Sequence, residues 1–293
     1  MELCNPDVLR LLLKKHGFSF SRALGQNFLI KAWVPREIAE NSGADKNCAV
    51  LEIGPGVGCL TKELSQIAGR VIAVELDKRL LPLLDETLYE CGNVDVVNGD
   101  IMKLDIEELI REKAGGMKPV VCANLPYNIT SPVLVKLINT GIFDTITVMI
   151  QREVARRICA FAGDADYGAL SVFVNYHMHT ELIFDVTPDC FMPQPKVTSA
   201  VIKMTRRQSP PAEVFDEKLF FAVVRASFDK RRKTLPNALC GAIGNIGKDE
   251  IISAMNGCGL DANLRGEALD IAAFARLSNA IYKLKTDLTK DIT

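Results

Sequence analysis

The sequence predicts a doubly wound α/β domain in residues 1–208 and a small all-α domain in residues 209–293. Two patterns lead to this division. From residue 48 onwards, short runs of Val, Ile and Leu alternate with helical stretches, which indicates a parallel sheet covered by helices on both faces. After Pro210 and Pro211 the helical pattern continues without a clear strand, so the second domain begins near this proline pair.

The predicted elements follow one another in regular alternation. The strands are 48–53, 70–75, 94–100, 119–124 and 145–150, and the helices between and after them are 57–68, 77–90, 105–113, 131–139 and the stretch from 151. Pro82 fits the second of these helices only in or near its first turn, where no N–H is needed. Two later runs, 181–186 and 199–205, predict an antiparallel ribbon that closes the sheet. In the second domain the predicted helices are 217–228, 231–243, 248–258 and 267–284.

Composition limits the class of protein. No apolar run approaches the roughly 18 residues that cross a bilayer, and the N-terminus lacks the features of a signal peptide, so a cytoplasmic location is expected. The nine cysteines are scattered and form no CxxC pair, which favours reduced thiols. The three histidines have no metal-ligand spacing with cysteines or carboxylates, so no metal site is predicted.

The net charge of −1 conceals an uneven distribution of charge. Residues 1–36 contain six Lys and Arg against two Asp and Glu, and residues 196–233 contain ten against four. Residues 37–195 carry thirteen basic against 23 acidic residues, a net charge of −10. Two basic segments therefore flank an acidic body. The nearly neutral net charge of the chain does not exclude a nucleic-acid partner.

Glycines follow the first predicted strand in LEIGPGVG, residues 51–58, and open the first helix. Gly54, Gly56 and Gly58 allow a tight turn and a close approach of a ligand to a helix N-terminus. Glu75 ends the second strand, where a carboxylate accepts hydrogen bonds from ribose hydroxyls, and Asp100 ends the third, within reach of an adenine amine. Because ligands bind at the carboxyl ends of parallel strands, this ordered set predicts an adenosine-containing cofactor.

Two adenosine cofactors remain candidates at this point, a nicotinamide dinucleotide and S-adenosylmethionine. The glycines are spaced GxGxG, so Gly58 comes one residue earlier than the third glycine of the GxGxxG dinucleotide fingerprint. The spacing counts against the dinucleotide.

The fourth predicted strand ends in NLPYNIT, residues 124–130. Pro126 cannot donate a hydrogen bond to a neighbouring strand, so the strand stops there. A plain turn explains the proline but not Tyr127. If the Asn124 side-chain oxygen and the Leu125 carbonyl accept the two hydrogens of an exocyclic amine, its lone pair is aimed at a methyl sulfonium while Tyr127 stacks on the base. Such a site works by positioning and desolvation and needs no metal.

Eight stretches in this order resemble the motifs of one family, the small-subunit rRNA adenine N6,N6-dimethyltransferases, also called the kasugamycin-resistance dimethyltransferases. The resemblance covers essentially the whole chain. The stretches are ALGQNFL (23–29), LEIGPGVGCLT (51–61), VELD (74–77), NGD (98–100), NLPYNIT (124–130), QREVARR (151–157), FMPQPKVTSAV (191–201) and SFDKRRKTLPNAL (227–239).

The resemblance implies a Rossmann-like class I methyltransferase sheet with S-adenosylmethionine as methyl donor. The implied substrate is small-subunit rRNA in an immature 30S-type subunit, with two adjacent adenines near its 3′ end as targets. A role in small-subunit biogenesis follows. By family pattern the cofactor contacts are Asn27, Leu29, Gly54, Gly56, Glu75, Asp100 and Asn124.

The same pattern assigns the target base to Asn124, Leu125 and Tyr127, with Phe191 stacking on the opposite face of the base. Phe191 belongs to the proline-rich CFMPQP, so a core position is not expected for it. Two aromatic faces offset part of the cost of unstacking the base, a few kcal/mol. The basic residues that would bind rRNA phosphates from the second domain are Lys230, Arg231, Arg232 and Lys233.

Three other functions are open on the sequence. The erythromycin-resistance methyltransferases modify large-subunit rRNA by the same chemistry, although the RRKTLPNAL and FMPQPKVTSAV stretches favour the small-subunit enzyme. A ribosome-assembly factor with secondary catalysis is the second alternative. A nicotinamide oxidoreductase is the third, and both the glycine spacing and the lack of a suitably placed histidine count against it.

Overall fold

The computed structural model describes residues 1–21, 25–244 and 246–290, with side chains as far as 286. The chain divides into two units. The first contains residues 1–155 and 179–206, and the second contains residues 156–178 and those from 207 onwards. The predicted boundary at 208 does not account for residues 156–178. Tyr167, Val172 and Tyr176 of this segment are buried in the hydrophobic core of the second unit.

Regular elements occupy most of the chain. The strands are β1 (Phe28–Leu29), β2 (Cys48–Ile53), β3 (Arg70–Glu75), β4 (Val94–Asn98), β5 (Lys118–Asn124), β6 (Thr145–Gln151), β7 (Met178–Val186), β8 (Phe191–Met192) and β9 (Ser199–Arg206). The helices are α1 (Pro6–Lys15), α2 (Trp33–Asn41), α3 (Cys59–Ile67), α4 (Leu81–Thr87), α5 (Ile106–Lys113), α6 (Thr130–Asn139), α7 (Arg152–Cys159), α8 (Ala169–His177), α9 (Glu217–Asp229), α10 (Leu235–Leu239), α11 (Lys248–Gly257) and α12 (Ile271–Lys290).

Within the described residues, seven strands form one sheet in the order β4-β3-β2-β5-β6-β9-β7. The pairs β3–β4, β2–β3, β2–β5 and β5–β6 are parallel, and β9 runs antiparallel to β6 with Ser199 opposite Gln151. The predicted mostly parallel sheet with an antiparallel closing strand is confirmed. In addition, β1 and β8 form an antiparallel pair that places Leu29 opposite Phe191.

The central strands are hydrophobic because helices cover both faces of the sheet. All six residues of β2, CAVLEI, are buried, including Glu52. Each fully buried Val, Leu or Ile stabilises the fold by about 1.5–3 kcal/mol relative to an exposed position. Pro82 lies in the first turn of α4, as predicted, and α5 begins after Asp105, whose side chain accepts a hydrogen bond from the Glu108 N–H at 3.0 Å.

The second unit has its own core, built from the apolar faces of its helices. Phe220 on α9, Leu239 on α10, Met255 on α11 and Phe274 on α12 are all buried in it. Helices form within all four stretches predicted for this unit, but in 231–243 only α10, Leu235–Leu239, is helical, and α8 was assigned to no element by the sequence. No helix within the described ranges is long and apolar enough to cross a membrane.

Candidate active site

The glycine loop after β2 has the backbone that its sequence predicts. Gly54, Gly56 and Gly58 have φ angles of 70°, 60° and 89°, which L side chains rarely adopt. A Cβ at Gly56 would come within 3.1 Å of the Phe28 ring, so a side chain there would require the ring to shift. The loop turns tightly against the cavity, and α3 begins directly after it at Cys59.

Glu75 connects this loop to the end of β3. Its carboxylate is buried and accepts hydrogen bonds from the Gly56 N–H at 3.4 Å and the Asp77 N–H at 2.7 Å. Burial raises the pKa of Glu75, and the two backbone N–H groups act against that increase. An acceptor held in this way at a strand end can take a hydrogen bond from a ligand hydroxyl.

Asp100 follows β4 and is partly exposed. Its Oδ1 accepts a hydrogen bond from the Met102 N–H at 2.9 Å, and its Oδ2 lies 3.8 Å from Lys103 Nζ. Asp100 therefore stabilises the turn after β4 and also lines the cavity. The two roles are compatible, because a carboxylate has about four acceptor positions.

The QNFL loop reaches the same cavity from the N-terminal side. Asn27 donates a hydrogen bond to the Gly25 carbonyl at 3.0 Å, while Leu29 is buried in β1. Gln26 is fixed by a hydrogen bond to Asp77 at 2.8 Å. Ala23 and Leu24 of the ALGQNFL stretch lie outside the described residues.

Asn124 and Leu125 stand where β5 ends. The Leu125 N–H donates to the Met149 carbonyl of β6 at 3.1 Å. No residue in the described part of the chain donates to the Asn124 side-chain oxygen or to the Leu125 carbonyl, so both acceptors are available to a ligand. Tyr127 begins a short 3-10 turn just beyond them, and its hydroxyl lies 2.6 Å from Ser199 Oγ.

Phe191 differs from the expectation. Only 1% of its surface is exposed, and it lies in a hydrophobic cluster with Leu29, Val34 and Val201. The expectation that it avoids the core is wrong, because β8 pairs with β1 and this pairing brings Phe191 into the packed interior. It still lines the cavity, and its stacking on a target base stays a prediction.

One cavity brings the ten predicted site residues of the first unit together. They are Asn27, Leu29, Gly54, Gly56, Glu75, Asp100, Asn124, Leu125, Tyr127 and Phe191. The strands β2, β3, β4 and β5 are parallel neighbours, so their carboxyl ends open on one edge of the sheet and the segments that follow them converge.

Glu52 is a cavity residue that the sequence reasoning missed. It is 1% exposed, and its Oε2 has no hydrogen-bond partner among the described residues. Burial raises the pKa of Glu52 to about 8, and the charge of Glu75 adds to the increase. An unpartnered buried oxygen is costly unless a ligand satisfies it. The available signal was the single charged residue within the apolar run CAVLEI.

The four predicted RNA-binding residues, Lys230 to Lys233, follow α9 in the second unit, and all are exposed. Arg231 lies 3.9 Å from the Glu267 carboxylate and donates weakly to the Ala165 carbonyl at 3.4 Å. Within the described ranges, no group of three or more His, Cys, Asp and Glu residues could hold a metal ion.

Known proteins are similar to this chain in sequence. The sequence model of the family described as "Ribosomal RNA adenine dimethylase" matches residues 17–283. The chain is 45% identical over 283 residues to a ribosomal RNA small subunit methyltransferase A from Listeria welshimeri, which covers 95% of this chain and 96% of that protein.

Two solved structures are similar over most of the chain. A dimethyladenosine transferase from Plasmodium falciparum is 25% identical with a TM-score of 0.74, covering 87% of this chain and 98% of that one. The 23S rRNA methyltransferase ErmE is 26% identical with a TM-score of 0.66, covering 87% and 99%.

Proposed function

This chain belongs to the ribosomal RNA adenine dimethylase family, and we propose that it dimethylates N6 of two adjacent adenines near the 3′ end of small-subunit rRNA. The observation that carries the proposal is the convergence of two sets of groups on one cavity. One set, the glycine loop with Glu75 and Asp100, suits an adenosyl cofactor. The other, Asn124 with Leu125 and Tyr127, suits a planar amine.

The residues present fit S-adenosylmethionine as the donor. Gly56 provides a turn that favours glycine there, and Glu75 offers a carboxylate to ribose hydroxyls. Asp100 would accept from the adenine amine. The buried carboxyl group of Glu52, whose Oε2 has no partner among the described residues, adds a further polar group to the lining of the cavity. When bound, S-adenosylmethionine supplies a methyl group activated by a positively charged sulfur.

Asn124 and Leu125 prepare the target amine for attack. In an adenine this lone pair is delocalised into the ring, so the amine is a poor nucleophile. Acceptance of its two hydrogens by the Asn124 oxygen and the Leu125 carbonyl directs the lone pair away from the ring plane, and Tyr127 holds the base by stacking.

In each transfer the amine nitrogen uses its lone pair to form a bond to the methyl carbon. The donor would supply the methyl group and leave with the electron pair of its carbon–sulfur bond, and the nitrogen would then lose a proton to water. The second transfer repeats these changes on the monomethylated amine. The residues therefore need only position and desolvate the base, and no side chain has to act as a strong base.

The assignment of small-subunit rRNA as the substrate rests on sequence identity. The relative named for the small subunit is 45% identical over nearly the whole chain, whereas the 23S rRNA methyltransferase is 26% identical. The exposed cations Lys230 to Lys233 are suited to rRNA phosphates. We place the enzyme in the cytoplasm, acting on immature small subunits, because its proposed substrate is ribosomal RNA.

The direct test is mass spectrometry of rRNA after incubation with the protein and S-adenosylmethionine. Small subunits from cells lacking this modification should gain two neighbouring dimethyladenines. Large subunits treated in parallel should gain none. Methylation of the large subunit alone would replace this assignment with the macrolide-resistance function, and transfer to no adenine would refute both.

A further inference from the structure

The partly buried hydroxyl of Tyr127 has one hydrogen-bond partner among the described residues. It lies 2.6 Å from the Oγ of Ser199, the first residue of β9. Ser199 is 0% exposed, and it does not line the cavity. Within the described part of the chain, its side chain makes this hydrogen bond and no other. A hydrogen bond to a buried partner of this kind fixes the direction in which the tyrosine ring points.

The loop that carries Tyr127 is thus attached to the sheet at two points. On one side of Pro126, the Leu125 N–H donates to the Met149 carbonyl of β6. On the other side, the Tyr127 hydroxyl meets Ser199 of β9. Since β6 and β9 are paired strands, with Gln151 opposite Ser199, both attachments belong to one hydrogen-bonded ladder.

Stacking alone does not require this hydroxyl. A phenylalanine presents the same ring face to a base, so the hydroxyl of Tyr127 has a second function. Burial raises the pKa of Tyr127, which keeps the phenol neutral and excludes a role as a base near neutral pH. What remains is orientation: a neutral hydrogen bond that stops the ring from turning away from Asn124.

We propose that Ser199 is a positioning residue that locks the Tyr127 ring beside Asn124 and Leu125 so that one adenine is held through both methyl transfers. The inference rests on the proposed function. After the first transfer the monomethylated amine must rotate about its bond to the ring and present its lone pair again. If the Tyr127 ring is fixed, the monomethylated base stays bound during this rotation. If the ring is free to turn, the base dissociates before the second transfer.

The test compares Ser199→Ala, Tyr127→Phe and the double variant on small subunits that lack the modification. The control is Ser42→Ala, since Ser42 is also 0% exposed and donates to the Ala39 carbonyl at 2.6 Å, but lies away from the cavity. Two quantities are measured for each variant, the rate of methyl transfer and the ratio of monomethyladenine to dimethyladenine. Calorimetry with S-adenosylmethionine verifies that each variant binds the donor.

We expect each single variant to lower kcat about fivefold, the effect of losing one neutral hydrogen bond, and to raise the monomethyl fraction. The double variant should be no worse than either single one, because both remove the same bond. Ser42→Ala should keep the wild-type rate and product ratio. A loss of thermal stability alone would not change that ratio.

Additive losses in the double variant, or a wild-type product ratio in Ser199→Ala, would overturn the inference. If Ser199→Ala does not fold, Tyr127→Phe breaks the same bond from the cavity side, and an unchanged product ratio there is equally decisive. Failure of the wild-type protein to methylate rRNA contradicts the proposed function instead, so the two failures are distinguishable.

Discussion

The side-chain amide of Gln26 donates a hydrogen bond of 2.8 Å to Oδ2 of Asp77. Asp77 also accepts from the Arg79 guanidinium at 2.6 and 2.9 Å, and that guanidinium lies 5.1 Å from the centroid of the Phe18 ring. Hydrogen bonding to Arg79 lowers the pKa of Asp77 to about 2, so the carboxylate stays charged at ordinary pH. One carboxylate thus joins the QNFL loop to the turn after β3.

The first prediction concerns this connection. In Asp77→Ala the loop that carries Asn27 and Leu29 loses the hydrogen bond from Gln26 to Asp77, while the groups that would contact the donor are unchanged. We expect the affinity for S-adenosylmethionine to fall roughly tenfold, the effect of losing a hydrogen bond to a charged group. The rate at saturating donor should change less. Calorimetry and the KM for the donor measure both.

Asp85→Ala is the matched control, because Asp85 is an exposed aspartate of α4 outside the cavity. It should bind the donor like the wild type. An equal loss in both variants would mean that general charge, and not the attachment of the loop, controls the affinity.

The second prediction separates donor binding from chemistry at Asn124. Asn124→Ala removes an acceptor that the structure leaves available, so the target amine loses the contact that directs its lone pair. We expect the rate of transfer to fall by roughly 100-fold or more, and donor binding to change by much less. Exposed Asn139, at the end of α6, provides the control Asn139→Ala. Methyl incorporation near the wild-type rate in Asn124→Ala would remove Asn124 from the mechanism.

The parallel strands could be predicted because their signal is local. β2 is buried at every position, so its sequence is apolar except for Glu52, and the run ends where the glycine loop begins. The pair β1–β8 has no such signal. Each strand has only two residues. The pairing places Leu29 opposite Phe191, and these two residues are distant in sequence. Helix α8 was missed because the short apolar stretch ALSVFVNYH is compatible with a strand or a helix.

The site was predictable for the same reason that the sheet was. Once the strands are parallel, their carboxyl ends converge, and Glu75, Asp100 and Asn124 must approach one another. Glu52 and Ser199 lie within strands, and the sequence does not tell which buried polar residue faces a cavity or a neighbouring ring. Both depend on tertiary packing. The proline-rich surroundings of Phe191 indicated a surface loop, and the β1–β8 pairing overrode that signal.

The third prediction concerns the exposed cations after α9. Replacement of Lys230, Arg232 and Lys233 by Gln should weaken rRNA binding and reduce the slope of log affinity against log salt by roughly 2–3, since each phosphate contact contributes about 0.7–0.9. Donor binding should be unaffected. Titrations at several salt concentrations measure the slope. Lys248→Gln, on exposed Lys248 of α11, should leave it unchanged, and an unchanged slope in the triple variant would show that these cations do not contact phosphates.

The last prediction follows from the buried carboxyl group of Glu52. Its pKa is about 8 in the folded protein against an ordinary value of 4.5, chiefly because burial penalises the charged form. Below pH 4.5 the group is protonated in both the folded and the unfolded chain and has no effect on the pH dependence of stability. Between pH 4.5 and 8 the unfolded chain ionises while the folded protein does not.

The free energy of unfolding therefore falls across this window by about 1.4 kcal/mol per pH unit, roughly 4–5 kcal/mol in total, and the loss is complete above pH 8. Glu52→Gln removes the titration and keeps the shape of the side chain. We expect the variant to gain stability relative to the wild type as pH rises from 5 to 8, with little further change above. Urea unfolding of both proteins without donor measures the difference. Parallel curves across this range would mean that Glu52 titrates normally and that the cavity is wet at this point.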